Sequence, residues 1–328
     1  MSKPSVDPVR WTPPSPAPAG SPVAPSNLRV LDTSGHGTED VVLRADGCVL
    51  TGVRDGRILA IDPVTDDETF VADTHGRPLG IERHPAGGFV VCDAVRGLLH
   101  LHEDGTLTVL ADGFDGTPFG FCNNAGVGAD GTIWFTDSST KFGIDHWRGD
   151  LIEHRPTGRL IRRDPDGTLT VLIDDLAFAN GVALAADESF VVVAETGAYA
   201  MRRLWLAGER AGTVEPFGPV LPGFPDNIST GEDGNVWVAV ASPRDATLDA
   251  LLPVVPLVRR IVWALPQRLQ PQPKKLIRIQ AFAPDGTLVH DIAGRDDRFG
   301  MPTGVRQERG KVWMGSLETS TIAVFDTP

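Results

Sequence analysis

Residues 123–137 read NNAGVGADGTIWFTD, and their pattern decides the fold because five other segments repeat it. Each copy contains an apolar run, a short polar turn and a second run rich in β-branched or aromatic residues, which is the pattern of a β-hairpin. The other copies are EDVVLRADGCVLTG from residue 39, LGIERHPAGGFVVCD from residue 79, NGVALAADESFVVVAE from residue 180, DNISTGEDGNVWVAV from residue 226 and TGVRQERGKVWMGS from residue 303. In four copies a glycine follows the first residue by eight positions; Glu188 takes this position in the copy from residue 180, and Gly310 comes one residue early in the last copy.

Two further strands are predicted after most hairpins, such as GRLIRRD at residues 158–164 and TLTVLI at residues 168–173. Four strands in every 40 to 50 residues or so are typical of a β-propeller blade. Six copies therefore predict an all-β fold, a six-bladed β-propeller. The last copy has only three strands, whereas NLRVLDT at residues 27–33 precedes the first copy, so this N-terminal strand is expected to complete the last blade and close the ring.

Three segments depart from the repeat. Residues 1–25 contain eight prolines and predict a disordered Pro-rich arm, which leaves residues 26–328 as a single propeller. An insertion at residues 141–156 separates the second and third strands of blade three. A longer insertion at about residues 242–275 occupies the same place in blade five, and its centre has a helical period. This helical insertion could be a packed decoration, a lid over the tunnel mouth or a helix that contacts membranes reversibly.

Composition limits the partners. The 328 residues include 30 Lys and Arg against 43 Asp and Glu, for a formal net charge of −13. This charge argues against binding to nucleic acid or anionic membranes, so the expected partner is a small-molecule substrate and membrane contact is not expected. No apolar segment of signal-peptide length is present near residue 1, and a cytoplasmic location is the default expectation. The sequence does not predict the oligomeric state.

The first positions of the six copies predict a chemical site. They are occupied by Glu39, Leu79, Asn123, Asn180, Asp226 and Thr303. Equivalent positions on the inner strands of a propeller form a ring at one mouth of the central tunnel, so two carboxylates and two amide oxygens would meet there. Asn and Asp are also common in turns that enter strands, but four converging oxygen donors favour a hard cation, Ca²⁺ or another divalent ion. The next positions, with Asp40, Asn124 and Asn227, could complete this shell or form a second metal site.

Several longer segments carry a family resemblance. HGRPLGIERHPAGGFVVCDAVRGLL, DGTIWFTDSSTKF, GRLIRRDPDGTLTVLIDDLAFANGVALAADESFVVVAET and LPGFPDNIST resemble the strictosidine synthase-like proteins. That group belongs to a six-bladed superfamily with paraoxonases and the gluconolactonase/regucalcin proteins, which hold a divalent ion at the tunnel mouth. The resemblance implies metal ligands at Glu39, Asn123, Asn180 and Asp226, with Asn227 as a further ligand. Asp40 and Asn124 match the structural-calcium positions of paraoxonases, although Asn124 replaces an aspartate.

Two residues depart from the relatives: the first departure favours hydrolysis, and the second means that the histidine dyad of paraoxonases is missing. True strictosidine synthases depend on a glutamate where this chain has Thr303, which cannot relay protons as a carboxylate does. Paraoxonases use a histidine where this chain has Leu79. We therefore expect a metal-dependent hydrolase of lactones or aryl esters, with phosphotriesters as a further substrate class. The alternatives are a ring-forming or carbon–nitrogen bond synthase of the strictosidine synthase type, and a non-catalytic binding propeller stabilised by its ion.

Roles within the predicted site follow from this chemistry. Asp226 is expected to act as the general base on an attacking water, with Glu39 as the alternate. The substrate pocket is expected to contain Leu79, Phe121, Phe178, Phe224 and Thr303, which could hold a hydrophobic acyl or ring system.

Overall fold

The computed structural model describes residues 3–17, 20–270 and 272–328, so residues 1, 2, 18 and 19 of the arm and residue 271 of the long insertion lie outside it. Within these residues, six sheets of four antiparallel strands surround a central axis, and one small hairpin precedes blade three. The predicted six-bladed propeller is confirmed.

The strands follow in chain order. Blade one contains β2 (Val41–Leu43), β3 (Val49–Gly52), β4 (Arg57–Ile61) and β5 (Glu68–Asp73), and blade two contains β6 (Pro78–Arg83), β7 (Phe89–Asp93), β8 (Gly97–Leu101) and β9 (Leu107–Ala111). The small hairpin is β10 (Gly113–Phe114) with β11 (Thr117–Pro118), and blade three contains β12 (Cys122–Val127), β13 (Ile133–Asp137), β14 (Gly158–Arg163) and β15 (Leu169–Leu176). Blade four contains β16 (Ala179–Leu184), β17 (Phe190–Glu195), β18 (Ala200–Trp205) and β19 (Val214–Pro216). Blade five contains β20 (Gly223–Thr230), β21 (Val236–Pro243), β22 (Ile277–Phe282) and β23 (Leu288–Gly294), and blade six contains β24 (Pro302–Glu308), β25 (Lys311–Ser316), β26 (Thr321–Asp326) and β1 (Ser26–Asp32).

The sixth blade combines the two ends of the described chain. Its strand order is β1-β26-β25-β24, and β1 pairs antiparallel with β26, with Asp32 opposite Thr321. The N-terminal strand therefore closes the ring, as the sequence predicts.

The turn between the first two strands explains the repeated glycine. Gly131 adopts a φ of +88° at this turn, a conformation that residues with a side chain rarely adopt, and the equivalent glycines also have positive φ. Glu188, which replaces glycine in blade four, is held at a φ of +56°. The repeat therefore marks a turn position with a left-handed backbone conformation, which recurs in all six hairpins.

Hydrophobic packing occurs between neighbouring blades. Val192 of blade four shares a buried cluster with Val238 of blade five, and Trp237 of blade five shares another with Met314 of blade six. Comparable clusters join the other neighbouring blades. Stability thus comes from several adjacent interfaces, which fix the positions of the inner strands around the tunnel.

Both insertions are helical and lie together. The shorter one contains a 3-10 turn (Ile144–His146) and α1 (Trp147–Glu153), and the longer one contains α2 (Ala246–Leu251), α3 (Pro256–Ala264) and a 3-10 turn (Gln267–Leu269). The predicted helical insertion in blade five is confirmed. Phe142 and Ile152 pack against Trp263, which joins the two insertions. No helix in the described part of the chain has the length and apolar character needed to cross a bilayer.

Described residues of the N-terminal segment, for which the sequence predicts a disordered Pro-rich arm, contact the inserted helices. The Val6 side chain is buried in the cluster that joins the insertions, and Val9 N–H donates to the Glu153 carbonyl at 2.8 Å. Arg259, itself buried, donates to the Val9 carbonyl. Trp11 stacks on His154 with ring centroids 4.0 Å apart. The described residues of this segment are therefore held in place. Their backbone forms hydrogen bonds with the insertions, and the side chains of Val6 and Trp11 pack against them.

Candidate functional site

Five of the six predicted ring residues lie at irregular points of the inner strands, and Glu39 lies two residues before β2. The pairing of β12 with β13 shifts register between Cys122 and Ala125, and equivalent shifts occur at the starts of β6, β16, β20 and β24. Such bulges redirect side chains relative to the strand. Glu39, Asn123, Asn180 and Asp226 all line one cavity at the tunnel mouth.

Three oxygens in this ring are buried without a hydrogen-bond partner among the described residues: Glu39 Oε2, Asn123 Oδ1 and Asn180 Oδ1. Each asparagine donates from its amide nitrogen to the hydroxyl of the residue that directly follows the second strand of its blade. Asn123 Nδ2 donates to Ser138 Oγ at 2.8 Å, and Asn180 Nδ2 donates to Thr196 Oγ1 at 3.0 Å. The nitrogens are thus fixed and the oxygens remain free, which is uncommon for buried polar groups.

The carboxylates of the ring are strongly perturbed. Burial raises the pKa of Glu39 to about 7, although the Arg77 guanidinium lowers it and Asp40 raises it further. Burial and then the charge of Glu39 raise the pKa of Asp226 well above its usual range. Arg77 Nη2 lies 3.9 Å from Glu39 Oε2, too far for a hydrogen bond. Arg77 therefore offsets only part of the negative charge that Glu39 would carry, and hydrogen bonds from the Asn180 side chain and the Asn227 backbone offset only part of that on Asp226.

This donor set fits a divalent ion. Two carboxylates and two amide carbonyls offer only oxygen, which suits Ca²⁺ better than a transition metal. Among the described residues there is no group of three or more His, Cys, Asp or Glu side chains that could hold a metal, so the candidate site depends on its two asparagines. The free oxygens are the observation that supports the fit.

The second predicted site has a different environment. Asp40 Oδ2 accepts from Ile81 N–H at 3.1 Å and from Asn124 Nδ2 at 3.3 Å, and Asn124 Oδ1 accepts from Val182 N–H at 2.8 Å. These oxygens already accept hydrogen bonds that join blades one to four on the inside of the tunnel. Asn227 differs, because both polar atoms of its side chain lack partners among the described residues. A second metal site, and a role for Asn227 as a ligand, remain predictions.

Small residues make these tunnel contacts possible. A Cβ atom at Gly80 would lie 2.7 Å from the Asn124 Cα atom. Gly181 approaches Asn227 and Gly304 approaches Asp40 equally closely. Polar residues from blades one, three and five therefore alternate with glycines from blades two, four and six, and this alternation lets the inner strands approach one another.

The cavity above the ring has apolar walls and a volume of about 110 Å³. Four of the residues predicted for the substrate pocket line it: Leu79, Phe121, Phe178 and Phe224. Phe121 meets Phe178 edge to face with ring centroids 5.6 Å apart. Residues from both insertions also line the cavity, including Trp147, Leu151 and Leu248. The insertions therefore cover the tunnel mouth.

Thr303 does not occupy its predicted place. Its side chain is fully buried and is absent from the cavity lining; its hydroxyl donates to the Glu39 carbonyl at 2.8 Å. This hydrogen bond ties the inner strand of blade six to the backbone of Glu39. The structure therefore does not bring Thr303 into the cavity wall with the other predicted pocket residues.

Other lining residues were not predicted from the sequence. Arg148 of α1, Gln270 and Met301 all line the cavity. Arg148 and Gln270 belong to the irregular insertions, which have no repeat to align, and Met301 precedes the sixth inner strand. Of these three residues, only Met301 could have been found from the sequence, because it lies just before the last repeated hairpin.

The fold and the ring of oxygen donors define a six-bladed propeller with a candidate cation site at its covered mouth. The strictosidine synthase family model matches residues 123–209, and the model for the N-terminal part of strictosidine synthase-like proteins matches residues 26–61. The chain is 33% identical over 278 residues to strictosidine synthase-like protein 13 of Arabidopsis thaliana, covering 83% of this chain and 66% of that protein. It is 31% identical over 311 residues to strictosidine synthase-like protein 3 of the same plant, covering 85% and 79%. The chain belongs to the strictosidine synthase-like family.

Solved structures share this fold at low sequence identity. A gluconolactonase from Xanthomonas campestris superposes with a TM-score of 0.67 at 17% identity, covering 96% of this chain and all of that one. Regucalcin from Agrobacterium tumefaciens, a calcium-binding protein, gives a TM-score of 0.66 at 13% identity, covering 93% and 95%. At such identities the likeness establishes the fold.

Proposed function

We propose that the protein is a divalent-cation-dependent hydrolase of lactones or aryl esters, with Ca²⁺ as the ion. The observation that carries this proposal is the set of partnerless oxygens on Glu39, Asn123 and Asn180, which line one cavity with Asp226. Only four protein groups would hold the ion, so further coordination positions stay open for a substrate. The gluconolactonase and calcium-binding regucalcin that share the fold support both the reaction class and the metal.

The bound ion would act as a Lewis acid toward the carbonyl oxygen of the substrate. Asp226 accepts a proton from the attacking water as the water oxygen bonds to the carbonyl carbon. The acyl C–O bond then breaks, and the departing alkoxide takes the proton back from Asp226, so that an ester and water give a carboxylic acid and an alcohol. Leu79, Phe121 and Phe178 exclude bulk water from the reacting groups, and the apolar walls hold the organic part of the substrate.

The test is a set of initial rates on phenyl acetate, a γ-lactone, a δ-lactone and a phosphotriester. Each is measured with the untreated protein, with chelator, and after Ca²⁺ is restored. We expect turnover of an ester or lactone that disappears with chelator and returns with Ca²⁺. Failure on all four compounds, despite tight binding of one ion measured by calorimetry, would reject hydrolysis in favour of a structural ion in a binding propeller.

A matched pair of variants tests the role of Asp226. Asp226→Asn should lower kcat by at least about 100-fold, because general-base catalysis contributes about 10² to 10⁴. Asp245→Asn is the control: Asp245 lines the same cavity, but its carboxylate accepts from Leu248 N–H at 2.8 Å at the start of α2. Asparagine caps helices equally well, so this control should retain activity. Equal effects of the two substitutions would reject Asp226 as the base.

A further inference from the structure

Arg148 places a positive charge in the cavity, and no described residue forms an ion pair with it. It is the second residue of α1 and is the only lysine, arginine or histidine among the described residues that line the cavity. Its Nε and Nη1 atoms are buried and have no hydrogen-bond partner in the described chain. The residue as a whole is half-buried. A partly buried guanidinium usually has a carboxylate or carbonyl partner, since its desolvation is otherwise uncompensated.

The neighbours of Arg148 in the cavity wall are mostly apolar. Trp147 lies beside it, with the guanidinium carbon 5.2 Å from the indole centroid, and Ile144 and Leu151 are apolar neighbours in the same lining. Burial lowers the pKa of Arg148, and the negative charge of Glu318 raises it by a smaller amount. An arginine remains charged at neutral pH even so. The side chain therefore presents unused donors in a mostly apolar wall.

Other polar groups at this level of the cavity already have partners. Gln270 Nε2 donates to the carbonyls of Trp263 and Leu265, and Gln272 Nε2 donates to the carbonyls of Gln267 and Gln270. Neither amide nitrogen is free to bind a ligand. Arg148 is thus the donor best placed to receive an anionic group of a molecule held in the cavity.

We propose that Arg148 binds a carboxylate carried by the substrate, so that the preferred substrates are lactones or esters that bear a free acid group. This inference rests on the proposed hydrolase function for its kinetic test, but the anion site itself can be tested without turnover. A guanidinium recognises a carboxylate through two parallel hydrogen bonds, which fixes orientation as well as charge. The carboxylate would bind under α1 while the scissile carbonyl lies toward the ring of oxygen donors.

The kinetic test compares an anionic substrate with its neutral counterpart. 4-Acetoxybenzoate is paired with phenyl acetate, and γ-butyrolactone-γ-carboxylate with γ-butyrolactone. The measured quantity is the ratio of kcat/KM for the anionic to the neutral compound. Arg148→Met should lower this ratio about 10- to 100-fold, the usual effect of losing a charged hydrogen bond. Arg148→Lys should restore part of it.

Arg268→Met is the control, because Arg268 is exposed in the long insertion, does not line the cavity and gives the same change in net charge. It should leave the ratio unchanged. The thermal stability of Arg148→Met should equal or exceed that of the unsubstituted protein, since the guanidinium is half-buried and two of its nitrogens have no hydrogen-bond partner among the described residues. A lower melting temperature together with an unchanged ratio would show a structural role and overturn the proposal.

A binding measurement separates this proposal from the hydrolase proposal. Calorimetry with 3-phenylpropionate and 3-phenylpropanamide is performed in the presence of chelator, so that no bound ion can attract the carboxylate. The unsubstituted protein should bind the acid about 10- to 100-fold more tightly than the amide, and Arg148→Met should not distinguish them. This result without any ester hydrolysis would reject the hydrolase and retain the anion site. Equal binding of acid and amide by the unsubstituted protein would overturn the anion site.

Discussion

Replacing Ser138 by alanine tests whether the free amide oxygens form the cation site. Ser138 is fully buried, and its hydroxyl accepts the 2.8 Å hydrogen bond that fixes the amide nitrogen of Asn123. Without it, that nitrogen has no partner and the amide can rotate. The unpaired nitrogen should cost about 1–3 kcal/mol of unfolding free energy. The affinity for Ca²⁺ should fall about 10-fold or more, because groups that orient metal ligands typically contribute 10- to 100-fold.

Two measurements on the same samples separate these effects. Chemical denaturation with chelator present gives the unfolding free energy, and calorimetric titration gives the dissociation constant for Ca²⁺. Ser229→Ala is the matched control, because Ser229 is also buried and its hydroxyl donates to the Val305 carbonyl at 2.6 Å, away from the ring. It should reduce stability without changing the affinity. If Ser138→Ala binds Ca²⁺ as tightly as the control does, Asn123 is not a ligand and the reasoning fails.

Two further predictions concern stability. Burial lowers the pKa of His154 to about 4, so the unfolded chain binds more protons between pH 6.5 and about 4 and stability falls as the pH falls through this range. This histidine alone should reduce the unfolding free energy by about 2 kcal/mol between pH 7 and 5. The variant His154→Asn, whose side chain tolerates the left-handed backbone at this position, should lose less stability between the two pH values, as measured by urea denaturation. Gly181→Ala should destabilise the fold by about 3 kcal/mol, because the new Cβ would lie 2.2 Å from the Ile228 nitrogen. Gly126→Ala, whose nearest contact would be 3.4 Å, is its control, and equal melting temperatures for the two variants would contradict the argument.

The repeat made the fold and the ring predictable. A hairpin turn needs a left-handed residue at one position, and the recurrence of Gly47, Gly87, Gly131 and Gly234 revealed this requirement without any structural information. Once the copies are aligned on these turns, equivalent residues must occupy equivalent places around the axis. Glu39, Asn123, Asn180 and Asp226 could therefore be grouped, although they are far apart in sequence.

The remaining features depend on contacts that no local pattern encodes. Prolines in the N-terminal segment predict an extended chain, but not that Val6 and Trp11 would find partners on the inserted helices. Likewise, residue type alone makes Thr303 a plausible wall residue; only the position of the Glu39 carbonyl shows where its hydroxyl goes. Arg148 lies in an insertion outside the repeat, so its approach to the cavity follows from tertiary packing.

Because β1 pairs with β26, the sixth blade can be completed only after the other blades have been synthesised. Blades one to five are each built from contiguous strands and can form as they emerge from the ribosome. Strand β1 is made before all of them, yet its partner is the last strand of the described chain. Until then it presents an unpaired edge that can pair with another chain. We therefore expect ring closure to be the slow step of maturation, and the period before it to be the one in which nascent chains are most prone to aggregate.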